Sequence, residues 1–482
     1  MRGIFSHPPA LAVFFSTEMW ERYGFYVVQS LLALYLSLHF KLPDTQTYGL
    51  VGSFTALTYI SPIVGGWLAD QYLGQKRTVL AGAVVLFLSY IVLASSHSLH
   101  GLDLALAMIA IGTGLLKPNI SSLLGRQYKP GDPMRDSAFT IFYMGITTGI
   151  ILGTLLPSKL QIWFGWHATF LSASFGLILA FFIFLFGTRI LKVQDYANIQ
   201  GSRLVNYGVA LLGIIVLGII CFVVLSKPAV ATTFFILVVA VSAIFVLSVA
   251  CKEKGFQRRK SISFLLLCGV SVMFWAFYFQ MFLALTLFIT RAVQHKVFGI
   301  LFPAPYYVSL ESFGMIFFGL ILAKVWSRMK PKNIAVVVAV KFSVALFLMF
   351  LAYGSILLTM QHYTQPGLLA SWLILLAYLI ISLSELMLSP VGLAAATQLS
   401  RPQVVSTMMG VFFVSLGAGG FLSGKLADIA ALHGKSHSLA AIKLDYFHAF
   451  EKLTTMAFGA FIVGLIVAGI IYLITHRFAR AA

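Results

Sequence analysis

The chain has little of what a soluble catalyst is made from. Only 10% of its 482 residues are charged, while 60% are hydrophobic and the mean hydropathy is +0.95. That apolar excess is more than a globular core can use, which excludes a soluble fold. Cysteine is scarce: Cys221, Cys251 and Cys268 are odd in number and lie in or beside apolar stretches, which excludes a disulfide framework. No HExxH, GxSxG or phosphate-loop pattern stands in the context its chemistry needs, so an enzyme is not expected. Acids are few, 14 against 33 Lys and Arg, for a net charge of +19. The bases sit mostly in short loops, where they set topology and meet anionic lipid, so no nucleic-acid partner is expected. The opening Met1-Arg2-Gly3 leads into an acid-bearing span without a signal-peptide core and cleavage site, so no processing is expected.

What is abundant is membrane-length apolar sequence. Stretches long enough to cross about 30 Å of hydrocarbon fall near 9–38, 48–71, 78–96, 102–124, 137–158, 168–189, 205–226, 229–250, 261–289, 307–326, 334–358, 367–391, 404–424 and 454–475, which predicts fourteen helices. Basic residues in short loops stay on the cytoplasmic side. With both termini inside, that side collects Lys76/Arg77, Arg126/Lys129/Arg135, Arg189/Lys192/Arg203, the run from Lys252 to Lys260, Arg328/Lys330/Lys332, Arg401 and Arg477/Arg480. The opposite loops hold fewer: Lys41, Lys159, Lys227, Arg291, Lys296, Lys435, Lys443 and Lys452. Polar, basic segments at 190–204 and 251–260 bracket two bland apolar helices. The chain therefore reads as an N-terminal six-helix bundle over 1–190, an inserted hairpin with its linkers over 191–260, and a C-terminal six-helix bundle over 261–482. Repeat-built transporters of this kind bind at the midplane between their halves.

Two spans carry charge where hydrocarbon would penalise it, and a charged motif lies in the loop where the second span exits. In the first span, Glu18, Glu21, Arg22 and Tyr26 are related by i+3, i+4 and i+8 and share one helix face. Each charge at that depth costs at least ~2.5–3.5 kcal/mol, so it persists where it faces a wet cavity and has a task. In the fourth span, Lys117 sits next to Pro118 in a polar run that predicts a helix break lining a cavity, with Glu18, Glu21 or Glu385 as its partners. Between the second and third spans, Gly65 to Arg77 combines close-packing glycines with Asp70, Lys76 and Arg77, a pattern suited to gating rather than substrate choice. All eleven histidines fall in loops or near span ends, so proton movement is left to carboxylates.

The stretch from Gly65 to Arg77 resembles the loop motif of the major facilitator superfamily, its gating residues being Gly66, Asp70, Gly74, Lys76 and Arg77. Six further runs resemble, in order, the signatures of the proton-dependent oligopeptide transporter family. They are His7-Pro8 leading into Glu18-x-x-Glu21-Arg22-x-x-x-Tyr26, Gly114-Leu-Leu-Lys117-Pro-Asn119, Phe142-Tyr143-Met144-Gly145-Ile146, Phe274-Trp275, Ser384-Glu385-Leu386-x-x-Ser389-Pro390-x-Gly392-Leu393 and Met408-Met409-Gly410-x-Phe412-Phe413. The resemblance implies an all-α polytopic membrane protein of the major facilitator fold, two six-helix bundles plus two inserted helices.

It also implies a proton-driven importer of di- and tripeptides in the bacterial inner membrane, working by alternating access as a monomer among lipid, with a proton gradient and no cofactor or metal. Glu18, Glu21, Arg22 and Lys117 would form the proton-coupling cluster. Arg22 and Lys117 would also face the peptide carboxylate and Glu385 its ammonium end, while Tyr26, Tyr59 and Trp275 would shape side-chain pockets, with Gln280 proposed beside Trp275 as cavity-lining. The rest of the Phe274 to Phe282 stretch reads as lipid-facing packing.

The departures from the family pattern matter as much. A second arginine in the first span and its glutamate partner in the seventh core helix are replaced by Gln29 and Phe279, so gate closure must rely on other contacts. Thr147 and Glu311 stand where the family has asparagines, and Phe412 where it has tryptophan. Glu311 facing Glu385 would form a coupled carboxylate pair, serving proton coupling or selecting more cationic substrates. The alternatives are a same-fold transporter of a cationic amine or peptide-like metabolite, and a peptide sensor that no longer transports.

Overall fold

The computed structural model describes residues 7–129, 132, 134–195, 202–326, 333–362, 367–401, 403–432 and 438–479, apart from the side chains of 136 and 476–479. Arg328, Lys330, Lys332, Lys435, Arg480, the Arg477 side chain and both chain ends, all used in the topology reading, lie outside what is described. The described chain is helical: α1 (Ala10–Leu34), α2 (Asp44–Leu68), α3 (Gln75–Ala94), α4 (Leu99–Gly125), α5 (Met134–Ile190), α6 (Arg203–Ser226), α7 (Pro228–Lys252), α8 (Gly255–Tyr278), α9 (Ala284–Ala292), α10 (Ala304–Trp326), α11 (Ile334–His362), α12 (Trp372–Gln398), α13 (Val405–Ala427) and α14 (Leu439–Ala479). The exception is a two-stranded antiparallel hairpin, β1 (Lys296–Val297) and β2 (Ile300–Leu301), which turns through Phe298 and Gly299, both at positive φ as a tight hairpin requires.

Twelve of the helical stretches are long and apolar enough to cross a membrane. The helix α1 is not among them because Glu18, Glu21 and Arg22 interrupt its apolar run. Within α5, Gly165 adopts φ 77° and ψ −177°, so this one long element is two spans that meet at a glycine break. With α1 included and α5 divided, the spans agree with the fourteen expected. The last helix starts well before the apolar run at 454, because Tyr446, Ala449, Phe450 and Leu453 recur at helical spacing and are buried. Phe288 of α9 receives Tyr446 and Phe450, with ring centroids 5.2 and 4.8 Å away.

The chain divides into two compact units, one of Met1–Leu32 and Leu57–Ala231, the other of Ala33–Ala56 and Thr232–Ala482. In the first, glycines let helices touch backbone to backbone. A Cβ on Gly65 of α2 would collide with the Gly114 carbonyl of α4, and one on Gly82 of α3 would lie 2.9 Å from the Gly112 oxygen. The break expected at Pro118 does not occur: α4 runs through it, losing only the one rung that Pro118 cannot donate, and the neighbouring Asn119 amide donates to the Leu115 oxygen at 2.7 Å and across to the Gly65 oxygen at 3.3 Å. The apolar α6 packs on this unit through Gly213 against Leu68 and through Ser226, whose hydroxyl meets the Asp103 carboxylate at 2.9 Å.

In the second unit the span expected at 261–289 is interrupted. A 3₁₀ turn over Phe279–Phe282 separates α8 from α9, and the buried Gln280 amide bridges the Ala276 and Ser423 carbonyls at 3.1 and 2.8 Å.

Candidate functional site

In the first unit, the helical spacing of α1 delivers what it predicts. Arg22 forks onto Glu21, with Nη2 2.6 Å from Oε1 and Nε bonded to Oε2, and Glu18 Oε1 lies 3.5 Å from Arg22 Nε. Thr113 of α4 adds a hydroxyl 3.4 Å from Glu21 Oε1. All three charged side chains are buried, and neither Glu18 oxygen receives a hydrogen bond. Gly149 of α5 presses on Met19 and Arg22 where any side chain would collide, so α1 is held from behind. Lys117 comes from α4 and places its ammonium 5.4 Å from the centre of the Tyr59 ring, a cation–π distance. It feels the charges of Arg22, Glu18 and Glu21, yet among the described residues no carboxylate lies within the 4.0 Å of an ion pair with it. Two acids and two bases thus make a formally neutral set in which Arg22 and Glu21 are firmly paired, whereas Glu18 and Lys117 are not.

In the second unit two more acids are buried. Glu311 on α10 and Glu385 on α12 face one another closely enough to interact, and Tyr278 of α8 faces Glu385. The Ser312 hydroxyl reaches Glu311 Oε2 at 3.3 Å, and Ser382 donates to the Glu311 backbone oxygen at 2.8 Å, fixing α10 to α12. The Trp275 ring meets Tyr278 edge-on at 4.9 Å and stacks on Phe279 at 5.3 Å. Among the described residues no Lys, Arg or His forms an ion pair with either acid.

A second ion pair belongs to this unit. Asp44, at the start of α2, takes both Nη1 and Nη2 of Arg291 at 2.6 and 2.7 Å and also the Leu432 backbone N–H at 3.0 Å. Arg291 also donates to the Tyr446 hydroxyl at 3.2 Å and to Ser37 at 3.1 Å.

A family profile described as the POT family matches residues 76–444. The chain belongs to the POT family. Its relatives include a dipeptide and tripeptide permease A from Edwardsiella piscicida, 32% identical over 460 residues and covering 93% of this chain and 92% of that one. A protein of the same name from Pectobacterium carotovorum is 33% identical over 435 residues, covering 89% and 84%. The fold matches a crystal structure of peptide transporter POT in complex with sulfate, with TM-score 0.82, 28% identity, and coverage of 98% and 96%. It also matches a bacterial homologue of the human drug peptide transporters PepT1 and PepT2, with TM-score 0.80, 26% identity, and coverage of 97% and 99%.

In this POT family member the residues named from sequence fall into three groups. Glu18, Glu21, Arg22, Lys117 and Tyr59 come together in the first unit, and Glu311, Glu385 and Trp275 do so in the second. Tyr26 follows on the α1 face, with Gly153 of α5 against its Cβ. Gln280, Thr147 and Phe412 have local structural partners. The Gln280 amide bridges α8 to α13, the Thr147 hydroxyl bonds back to the Tyr143 oxygen at 3.1 Å, and the Phe412 ring fills the space where Gly392 has no side chain.

The motif from Gly65 to Arg77 folds as a π-turn over Ala69–Leu73 ending at Gly74, whose φ of 81° suits glycine. Gln75 donates to Asp70 Oδ1 at 3.0 Å, and Arg77 lies 5.6 Å over the Tyr207 ring. The tight helix contact is made by Gly65, while Gly66 has ordinary space beside Pro118.

Sequence reasoning missed Tyr278 and the Asp44–Arg291 pair. The aromatic stretch Phe274 to Phe282, read as lipid-facing, is buried throughout, and Tyr278 lies one turn beyond Trp275, a spacing that could have flagged it. Asp195 was also missed: it accepts the Gln75 and Lys76 backbone N–H groups at 3.0 and 3.2 Å and so caps α3.

Proposed function

We propose that this protein is a proton-coupled symporter that imports di- and tripeptides by alternating access, working as a monomer in the bacterial inner membrane with both termini cytoplasmic. Bundles over 1–190 and 261–482 carry transport, and the hairpin over 191–260 is an accessory. Family membership and relatives named as dipeptide and tripeptide permeases support the substrate class. The observation that carries the reading is the unequal pairing in the first cluster. Glu18 is buried with no hydrogen-bond donor, and Lys117 is half-buried in the same charge set with no carboxylate at ion-pair distance among the described residues. A carboxyl in that condition is suited to take a proton, and a cation in that condition is suited to take a substrate carboxylate.

Protonation of Glu18 removes one of the two negative charges holding Arg22. Arg22 and Lys117 then meet the peptide carboxylate with charge-assisted hydrogen bonds strengthened by the low dielectric. Glu385 meets the ammonium end, and Tyr26, Tyr59 and Trp275 shape the side-chain pockets. Anchoring the two backbone ends leaves the side chains loosely specified. A substrate shifts the inward–outward equilibrium through its different affinity for the two states.

The test is uptake of a labelled dipeptide by proteoliposomes under an imposed pH gradient. Accumulation above the equilibrium level is the expected result, and binding without uptake would point to a sensor. A second reading, transport of a cationic amine, is favoured by the two carboxyls of the second unit having no cation at ion-pair distance among the described residues. Competition by dialanine, trialanine, a lysyl dipeptide and a polyamine separates the two, with dialanine and trialanine competing and the polyamine failing if the peptide reading holds.

A further inference from the structure

The buried carboxyls of Glu311 and Glu385 stand against each other, and two ionised carboxylates so placed can only repel, since each accepts and neither donates. Counted as ionised acceptors, Glu311 Oε1 and Glu385 Oε2 find no donor in the protein. A proton between them supplies the missing donor. The groups facing the pair are Tyr278 from α8, Tyr378 from α12 and Ser312 from α10. Tyr378 is fully buried, faces Glu311, and its hydroxyl has no hydrogen-bond partner. The site therefore holds two acids and three hydroxyls, with no cation at ion-pair distance among the described residues.

We infer that Glu311 and Glu385 work as one proton-exchanging unit. The empty pair shares a single proton, and that proton leaves to water when a substrate ammonium group seats against the two carboxyls. The exchange balances. One O–H bond breaks at the pair, the proton leaves to solvent, and the ammonium N–H groups take over the hydrogen bonds the proton made. Its positive charge also offsets the repulsion between two ionised acids at close range. Glu311 thereby makes binding of the amino end compete with protonation in the second unit. The Glu18 cluster of the first unit is a separate site. This inference rests on the peptide-transport reading and assigns Glu311 a role within it.

The test measures protons released into weakly buffered detergent solution as a dipeptide binds, for wild type and Glu311→Gln. An amide at 311 can donate to Glu385 but has no proton to exchange, while the Glu18 cluster is unchanged. Wild type is expected to release about one more proton per dipeptide than the variant, and its affinity to rise with pH more steeply by about tenfold per pH unit. Retained binding with the extra release lost supports the unit. Equal release and equal pH slope in the two proteins overturn it and leave peptide transport standing. Should Glu311→Gln not fold, Glu311→Asn takes its place, and a wild type that binds dipeptide without releasing any proton overturns the inference on its own. A wild type that binds no dipeptide contradicts the peptide reading instead, and the same measurement with a linear diamine then decides whether the pair exchanges its proton.

Discussion

The two buried charge clusters are built from the same material to opposite effect. In the first unit each acid has a base in its surroundings: Arg22 clasps Glu21, and Glu18 and Lys117 complete a formally neutral set. In the second unit Glu311 and Glu385 have hydroxyls and each other but no base at ion-pair distance among the described residues. A balanced set can change partners when one member gains a proton, which is what coupling needs. An unbalanced acidic pair needs a cation to complete it, which is what recognition of an amino end needs.

Breaking the balanced side should have the largest effect. Lys117→Ala removes the cation with no carboxylate at ion-pair distance, and gradient-driven dipeptide uptake by proteoliposomes is expected to fall by at least about 100-fold, about 2.7 kcal/mol. On the unbalanced side, Glu385→Gln removes a charge that receives charge-assisted hydrogen bonds. Dipeptide affinity measured by calorimetry should then fall roughly 10- to 100-fold, consistent with about 1.5–3 kcal/mol for such bonds. Asp44→Asn sharpens the comparison by breaking a pair whose work is holding rather than exchange. It should lower thermal stability through the loss of about 1.5–3 kcal/mol without changing the pH dependence of binding. The smallest effect belongs to Gln280→Leu, which removes an amide bridge between helix carbonyls. A loss near 1 kcal/mol with unchanged dipeptide affinity would confirm that this residue lies outside the binding machinery, and a tenfold affinity loss would return it to the site.

The spans and the first cluster were legible because their signals are local. An apolar run of membrane length declares a helix, and acids at i and i+3 with a base at i+4 declare a charged face. The proximity of Glu311 to Glu385 came from resemblance, since nothing in local spacing brings α10 to α12. The Asp44–Arg291 pair spans 247 positions of sequence and leaves no periodic trace, so Arg291 read as an ordinary outer-loop base. The structural work of Gln280 was not legible because a buried amide beside aromatics gives no local sign of the 3₁₀ interruption whose neighbouring carbonyls it bridges. The early start of α14 escaped a search for apolar length because its first turns are amphipathic, with polar residues between the buried Tyr446, Phe450 and Leu453.

The most direct test of the division between the clusters compares two fluxes in the same Lys117→Ala proteoliposomes: accumulation of dipeptide driven by a pH gradient, and counterflow of labelled dipeptide against unlabelled with no gradient. The account predicts that accumulation is lost while counterflow persists. Full gradient-driven accumulation by this variant would contradict it.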